Sequence, residues 1–253
     1  MHKENRAKVS LEALVESGDL DLPVLHPGGL ESTRELAELC RIAAGKHVLE
    51  VASGTGESAC FLVQNFGCKV IGLDHSASMV QTARHKALER NLTIEFQLGD
   101  AHDLPFASET FDATICECTM CALNKKPAID EMVRVTRSGG YVGISDLYWQ
   151  EHAPEPLKAK LVNLENERPE TLTGWVEMFQ QAGLHQVQTR DLSHALAAMS
   201  REMRKQMGIS GQLRLVAKVV KRWGIRSLAR IESTERIFRS RHLGYAIVVG
   251  RKA

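Results

Sequence analysis

Long apolar runs are missing from this chain of 253 residues. No run of about 18 apolar residues occurs, so we expect no membrane-spanning helix. The first residues are not followed by an apolar segment of the secretory type, so we expect no export signal and a cytoplasmic location. Six cysteines in a chain of this length do not form a disulfide framework, and free thiols are expected.

A large net charge is also missing, but only on average. With 32 Lys and Arg against 31 Asp and Glu, the formal net charge is +1, which argues against a nucleic-acid-binding protein. Between Arg201 and Arg241, however, twelve basic residues accompany three acidic ones, a local charge of +9. The remainder has 20 basic and 28 acidic residues and carries −8. The sequence therefore predicts an acidic body with one basic segment.

Apolar runs and amphipathic segments alternate along the chain. Strands are predicted at His47–Val51, Lys69–Asp74, Thr93–Leu98, Phe111–Cys116, Tyr141–Ser145, His185–Asp191 and Gly244–Val249. Helices are predicted at Ser32–Ala44 (opened by a capping box of Ser32 and Glu35), Glu57–Phe66, Ala77–Arg90, Lys126–Thr136, Thr171–Ala182, Ser193–Met207 and Gln212–Trp223. This alternation predicts an α/β fold with a mostly parallel sheet and helices on both faces.

A glycine turn after the first strand carries the strongest chemical signal. Gly54 and Gly56 let backbone approach a ligand where a side chain would block it. Asp74 ends the second strand about 20 residues later, where a carboxylate accepts hydrogen bonds from ribose hydroxyls. The spacing Gly54-x-Gly56-x-x-Ala59 also fits the dinucleotide fingerprint. The glycines therefore indicate a nucleoside cofactor, but they do not distinguish NAD from other cofactors of this kind. The alternative is a turn that only closes a βα unit.

Several motifs resemble those of the class I S-adenosylmethionine-dependent methyltransferases, most closely the ubiquinone-biosynthesis and small-molecule branch. They occur in the family's order within residues 45–150: Val48–Gly56, Gly72–Met79, Gly99–Phe106, Phe111–Asp112 and Arg134–Gly140. The resemblance implies a Rossmann-like fold, a seven-stranded sheet with an antiparallel last strand, and S-adenosylmethionine as cofactor. A short-chain dehydrogenase is disfavoured, because no tyrosine is followed by lysine at the Tyr-x-x-x-Lys spacing.

The resemblance also implies roles for single residues around the cofactor. Asp74 would bind the ribose hydroxyls, and Met79 would pack near the adenine. Asp100 would hydrogen-bond the adenine amine beside Ala101, and Glu50 replaces the more usual Asp of the first motif. The predicted cofactor-binding set is Glu50, Ala52, Ser53, Gly54, Gly56, Asp74, His75, Met79, Gly99, Asp100, Ala101 and Cys116.

Residues that follow the fourth and fifth strands are candidates for the chemical step. Methyl transfer from a sulfonium is an in-line displacement with a neutral leaving group, so positioning, desolvation and a nearby base can supply catalysis. The ligand crevice of such a sheet lies at the carboxyl ends of its strands. We therefore predict Glu117, Asp146 and His75 as candidate bases. The alternative is that Glu117 caps a turn and Asp146 caps a helix.

Three cysteines, Cys116, Cys118 and Cys121, follow the fourth predicted strand. Soft thiolates could hold zinc or a metalloid, and arsenite methyltransferases, which share the implied fold, hold trivalent arsenic with cysteines. A structural zinc would need a fourth ligand, and no second Cys pair at ribbon spacing occurs. The alternative is a set of inert buried thiols that line the pocket, with no metal bound.

The basic segment contains a predicted amphipathic helix, Gln212–Trp223, in which Leu213 and Val216 share the apolar face with Val220 and Trp223. This face could pack on the body and leave the charges solvated. It could also meet an anionic membrane surface, or form a lid for an acidic substrate or partner. Nucleic acid is disfavoured, because aromatic residues interleave poorly with the basic ones.

Together these observations predict a cytoplasmic S-adenosylmethionine-dependent methyltransferase of small molecules, peripheral to a membrane if the basic helix binds one. We predict a helical lead-in at 1–44, a Rossmann-like domain formed by 45–191 and 242–253, and a basic helical insertion at 192–241 that acts as a substrate cap. His26–Gly29 would fold over the cofactor or form a plain turn. The second hypothesis is a cofactor-binding interaction protein without transferase activity.

Overall fold

The computed structural model describes residues 9–10, 13–14, 17–19, 24 and 26–253. The strands are β1 (His47–Val51), β2 (Lys69–Asp74), β3 (Glu95–Leu98), β4 (Phe111–Glu117), β5 (Thr136–Trp149), β6 (Glu170–Thr171), β7 (Leu184–Asp191) and β8 (Leu243–Lys252). The helices are α1 (Gly29–Leu39), α2 (Glu57–Phe66), α3 (Ala77–Glu89), α4 (Lys125–Val135), α5 (Glu155–Glu165), α6 (Leu172–Gln181), α7 (Ser193–Trp223) and α8 (Arg226–Phe238), with a 3-10 turn at Met120–Ala122. No helix within these described ranges is long and apolar enough to cross a membrane.

These strands form one sheet in the order β3-β2-β1-β4-β5-β8-β7. Strands β1 to β5 run parallel, whereas β8 is antiparallel to both of its neighbours. This confirms the predicted Rossmann-like α/β fold with its antiparallel last strand. The sheet holds eight strands instead of seven, because the two-residue strand β6 pairs with the end of β5.

The core follows the central strands, where helices cover the sheet. Leu49 of β1, Ile115 of β4 and Ile144 of β5 have no solvent-exposed surface. Helices on both faces bury β1 and β4 along almost their whole length, polar positions included. These buried strands fix the positions of the residues that follow them.

The parallel strands bring their carboxyl ends to one edge of the sheet, which we call the carboxyl edge. At this edge Val51 lies beside Cys116, and Glu117 lies beside Ser145. Asp74 ends the neighbouring strand β2. The strand register therefore brings the ends of β1, β2, β4 and β5 together, and with them the predicted site residues Asp74, Cys116 and Glu117.

The insertion between β7 and β8 also leaves and re-enters the sheet at the carboxyl edge. Asp191 pairs with Ala246, and Leu243 pairs with Trp149 at the end of β5. Helices α7 and α8 of the insertion pack against each other. The placement puts the insertion at the same edge as the glycine turn.

Helix α7 is broken at Gly208, whose φ of 59° and ψ of 179° are not helical. The predicted end of a helix at Met207 is thus confirmed. The second helical part begins directly after Gly208, so the predicted start at Gln212 is wrong. Helix α8 is not among the predicted elements, although Leu228, Ile231 and Phe238 follow helical spacing.

The predicted capping box of Ser32 and Glu35 is also wrong. Helix α1 begins at Gly29, preceded by Gly28 in the left-handed region with φ 85°. The Ser32 hydroxyl lies inside the first turn and donates to the Gly29 carbonyl at 2.8 Å. Most of the predicted lead-in before residue 26 lies outside the described residues.

Candidate functional site

The turn between β1 and α2 combines three residues with positive φ. Ala52, Gly54 and Gly56 have φ of 57°, 51° and 74°. A Cβ on Gly56 would lie 2.7 Å from Phe96 Cζ and 2.8 Å from Ala83 Cβ, so this glycine permits close helix–strand packing. A Cβ on Gly54 would meet no atom within 4 Å. Gly54 therefore faces open space, which is what a backbone that approaches a ligand requires.

Asp74 joins the glycine turn to the start of α3. The backbone N–H of Gly54 donates to Asp74 Oδ2 at 2.8 Å, and that of Ser76 donates to Oδ1 at 2.9 Å. The backbone N–H of Gly99 donates to the Asp74 carbonyl at 3.0 Å, which adds the loop after β3. The candidate base His75 has a largely exposed side chain, with Nδ1 3.6 Å from Asp74 Oδ1. Asp74 is thus held by backbone donors beside the open space at Gly54.

Two buried polar atoms near the turn have no hydrogen-bond partner in the described part of the chain, Glu50 Oε2 and Ser53 Oγ. Burial, followed by repulsion from Glu117 and Asp74, raises the pKa of the Glu50 carboxyl well above its usual range. An unsatisfied buried polar group costs about 1–3 kcal/mol. A cationic ligand with hydrogen-bond donors would satisfy both atoms, and S-adenosylmethionine has that chemistry in its ammonium, sulfonium and ribose groups.

The residues predicted around the adenine lie in and beside the loop after β3. Ala101 is 9% exposed, and Met79 on α3 is half-buried. Asp100 is exposed and accepts hydrogen bonds from the backbone N–H of His102 at 2.9 Å and from its Nδ1 at 2.6 Å. These bonds, the backbone bond first, lower the pKa of the Asp100 carboxyl. Asp100 is therefore ionised and solvent-accessible, as an acceptor for an exocyclic amine must be.

Glu117 is buried among hydroxyl groups that the sequence did not reveal. Thr33 Oγ1 donates to Glu117 Oε1 at 3.0 Å, and Ser145 Oγ donates to Oε2 at 3.3 Å. Tyr245 donates its hydroxyl to Ser145 Oγ at 2.9 Å. His26 Nε2 lies 3.6 Å from Glu117 Oε2. The side chain of Glu117 is thus held in place by contacts from the turn at His26 and from α1, β5 and β8.

His26 opens the His-Pro-Gly-Gly turn and is 7% exposed. Its Nδ1 lies 3.0 Å from Ser32 Oγ, and its Nε2 lies 3.3 Å from Ser58 Oγ near the start of α2. The turn therefore packs on the carboxyl edge beside Glu117. In the sequence, only the His-Pro-Gly-Gly motif points to His26. That motif alone does not distinguish a segment that packs beside Glu117 from a plain turn.

Asp146 is 2% exposed, and its carboxylate accepts from backbone N–H groups. Cys121 N–H donates to Oδ2 at 3.0 Å, and Leu147 N–H donates to Oδ1 at 2.6 Å. Burial raises the pKa of the Asp146 carboxyl. Because both oxygens hold the backbone around the turn after β4, this placement favours a structural role over that of a base.

The three clustered cysteines are protonated thiols. Cys116 and Cys121 are buried and Cys118 is half-buried. Burial first, and the charge of Asp146 second, raise the pKa of all three thiols well above the usual range. The thiolate is the metal-binding form, and among the residues described no three His, Cys, Asp or Glu side chains are grouped to hold a metal ion. The metalloid alternative is therefore not supported.

Sequence comparison places the glycine turn within a known domain type. A family of methyltransferase domains matches residues 48–140. A phosphoethanolamine N-methyltransferase of Triticum aestivum is 28% identical over 178 residues, covering 70% of this chain and 35% of that protein. This chain thus spans about a third of that curated relative's length. An uncharacterized protein of Haemophilus influenzae is 31% identical over 207 residues, covering 78% of this chain and 81% of that protein.

The fold is shared with a solved structure of phosphoethanolamine N-methyltransferase 2 from Haemonchus contortus, in complex with phosphomonomethylethanolamine and S-adenosylhomocysteine. The TM-score is 0.79, and the match covers 94% of this chain and 56% of that one. The sequences are 16% identical, so this likeness establishes the architecture alone.

Proposed function

We propose that this chain, whose residues 48–140 match a methyltransferase domain, transfers a methyl group from S-adenosylmethionine to a small-molecule acceptor. One observation carries the proposal: the open space at Gly54 adjoins a turn with two buried polar atoms, Glu50 Oε2 and Ser53 Oγ, that have no hydrogen-bond partner among the described residues. A bound cationic nucleoside would fill that space and satisfy those atoms.

S-adenosylmethionine, when bound, supplies an electrophilic methyl group on a sulfonium. The chain's own residues bind and orient it in this proposal. Asp74, fixed by two backbone donors, would accept hydrogen bonds from the ribose hydroxyls, and Glu50 would accept one from a donor group of the cofactor. Met79 and Ala101 would pack near the adenine, while Asp100 would accept a hydrogen bond from its amine. Held in this way, the methyl group and the acceptor need little reorganisation to react.

Among the predicted bases, the geometry favours Glu117. Asp146 has both oxygens engaged by backbone, and the side chain of His75 is largely exposed. Glu117, together with His26 at 3.6 Å, would take the proton of an acceptor hydroxyl or amine. Replacing either residue, as Glu117→Gln or His26→Gln, should lower kcat by about a hundredfold, with cofactor affinity retained. An unchanged kcat in both variants would contradict this role.

The insertion at 192–241 is proposed as the substrate cap, since it leaves and returns at the carboxyl edge. The acceptor would then lie between the cap and the strand ends, excluded from water. Lipophilic quinols suit the branch that the sequence resembles, and a phosphorylated amine is what the Haemonchus relative holds. Turnover over a panel of quinols, phosphorylated amines and small thiols separates these classes.

Calorimetry with S-adenosylmethionine and S-adenosylhomocysteine tests the cofactor site. Asp74→Asn should weaken binding by about tenfold to a hundredfold, because charged hydrogen bonds contribute about 1.5–3 kcal/mol. Asp112→Asn is a matched control, since Asp112 accepts a backbone N–H from His47 at 2.8 Å at the opposite end of β1. Equal effects of the two substitutions would argue against the proposed site. Binding without turnover of any acceptor would favour the non-catalytic hypothesis.

A further inference from the structure

The second part of α7 exposes an apolar stripe to solvent. Ile209, Leu213 and Val216 are 80%, 66% and 44% exposed, and their spacing places them on one helix face. Ile225, two residues beyond the helix, is 72% exposed. The interpretation in which this apolar face packs on the body is therefore wrong for Leu213 and Val216, whereas Trp223 does pack on other residues. An exposed apolar patch of this kind marks a site of interaction.

The side of the same helix next to this stripe is covered by the protein. Val219 is 1% exposed and forms a small apolar cluster with Val9 and Leu14, separate from the main core. Leu215 and Trp223 pack against this cluster. The apolar sector of the helix is therefore wide, and only one half of it is covered.

The charges beside the stripe are all positive. Residues 203–231 contain eight Lys and Arg and no Asp or Glu. Lys218 and Arg222 lie 3.7 Å and 3.3 Å from the carboxylate of Asp19. Arg214 and Lys221 are exposed, and neither has a carboxylate within 4.0 Å in the described part of the chain. Exposed positive charge thus adjoins exposed apolar side chains.

We propose that this surface docks on an anionic lipid membrane. We name it the basic stripe: Ile209, Leu213, Val216 and Ile225 with Arg214 and Lys221. Its apolar side chains would enter the boundary between headgroups and acyl chains, while the basic side chains reach lipid phosphates. Each basic residue near an anionic membrane surface contributes appreciably to binding, and the contribution falls within a Debye length.

Charge argues for lipid over a second copy of this chain. A two-fold interface through the basic stripe would set the same patch against itself. It would bring one acid-free segment of eight positive charges against another, and like charges in contact repel. An anionic bilayer matches both the basic and the apolar side chains of the basic stripe, because it offers negatively charged headgroups and an apolar layer beneath them.

Vesicle co-sedimentation tests the proposal with the whole chain. Vesicles of phosphatidylcholine alone are compared with vesicles that also contain phosphatidylglycerol, at about 0.1 M salt and at about 1 M salt, where the Debye length is about 10 Å and about 3 Å. We expect binding to the anionic vesicles at low salt, strong loss at high salt, and little binding to the neutral vesicles.

Two pairs of variants locate the contact. Arg214→Gln with Lys221→Gln should weaken anionic-vesicle binding about thirtyfold, which is about 2 kcal/mol. Lys69→Gln with Lys160→Gln removes the same charge from exposed positions elsewhere and should have little effect. Leu213→Ser should weaken binding about tenfold, whereas Leu88→Ser, at a side chain 74% exposed on α3, should not.

Several results would overturn the proposal. Absence of binding to anionic vesicles at low salt would do so directly. Equal losses in the stripe variants and their controls would place the contact elsewhere. Sedimentation velocity supplies the last comparison: a dimer that Leu213→Ser dissociates, in a protein that ignores vesicles, would assign the surface to a second copy. Circular dichroism checks that each variant remains folded.

Discussion

The acidic body and the basic insertion place their charges in opposite ways. At the carboxyl edge Glu50, Asp74 and Glu117 are 3%, 5% and 8% exposed, whereas Arg214 and Lys221 of the insertion are exposed. A buried carboxylate needs donors or a ligand, because an uncompensated one is costly. An exposed cation is tolerated without a partner and acts on what approaches. The net charge of +1 therefore averages an inward-facing site and an outward-facing surface.

The largest expected effect is a loss of stability. A glycine substitution in the body and one in the insertion together test whether tight packing is confined to the body. Gly56→Ala would set a Cβ 2.7 Å from Phe96 Cζ at a residue with φ 74°. Strain and overpacking together should cost about 3 kcal/mol of unfolding free energy. Gly208→Ala leaves no atom within 4 Å of the added Cβ and should cost about 2 kcal/mol from backbone strain alone, because φ 59° with ψ 179° is a conformation that is essentially restricted to glycine. Urea denaturation measures both, and equal losses would erase the distinction.

A second substitution separates ligand approach from stability. Gly54→Ala adds a Cβ that also meets nothing within 4 Å, at φ 51°. Its unfolding free energy should fall by about 1 kcal/mol. Its affinity for S-adenosylmethionine should fall at least about tenfold, since the methyl group enters the space of the ligand. Calorimetry on Gly54→Ala and Gly208→Ala decides, and full affinity in Gly54→Ala would remove this glycine from the site.

The buried carboxyl of Glu50 should make the stability of the body depend on pH. The raised pKa of Glu50 means that the folded protein keeps a proton that the unfolded chain releases above about pH 4.3. Stability contributed by this group is therefore present at lower pH and is lost as pH rises towards the folded pKa. Glu50→Gln should stabilise the ligand-free protein increasingly over that window, with a slope of up to about 1.4 kcal/mol per pH unit.

Denaturation at several pH values between about 4 and 8 measures this difference, a window that begins at the unfolded pKa of Glu. Glu35→Gln is a control at a partly exposed side chain on α1. A difference between wild type and Glu50→Gln that stays constant with pH would contradict the buried-carboxyl interpretation.

The smallest expected effect concerns the pairs that join the insertion to the lead-in. Asp19→Asn removes the partner of Lys218 and Arg222. Because both cations are half-exposed, the loss should be below about 1 kcal/mol. The loss should shrink further at high salt. If urea denaturation showed a larger loss of unfolding free energy that did not depend on salt, the insertion would be held by buried ion pairs and not by exposed ones.

The sequence predicted the residues whose roles depend on local backbone. Gly54, Gly56 and Asp74 were identified because a strand, a glycine turn and an acidic strand end occur at fixed spacing. Thr33 and Ser58 could not be predicted in the same way, since their contacts with Glu117 and His26 join segments far apart in the chain.

The insertion shows a different limit of sequence reasoning. Helical periodicity placed Leu213 and Val216 on an apolar face, but it does not say which part of that face another segment covers. Val9 and Leu14 cover the neighbouring side at Val219. The cysteines follow the same rule, because burial, which the sequence does not display, decides whether a thiol or a thiolate is present.

Strand β8 has a consequence for the order in which the protein assembles. It lies between β5 and β7, and its Tyr245 supports Ser145 and, through it, Glu117. A chain emerging from the ribosome has made the glycine turn and Glu117 long before residues 243–252 exist. Until then the edges of β5 and β7 remain unpaired, and open strand edges invite aggregation. Maturation of the proposed base therefore waits for the last strand to enter the sheet.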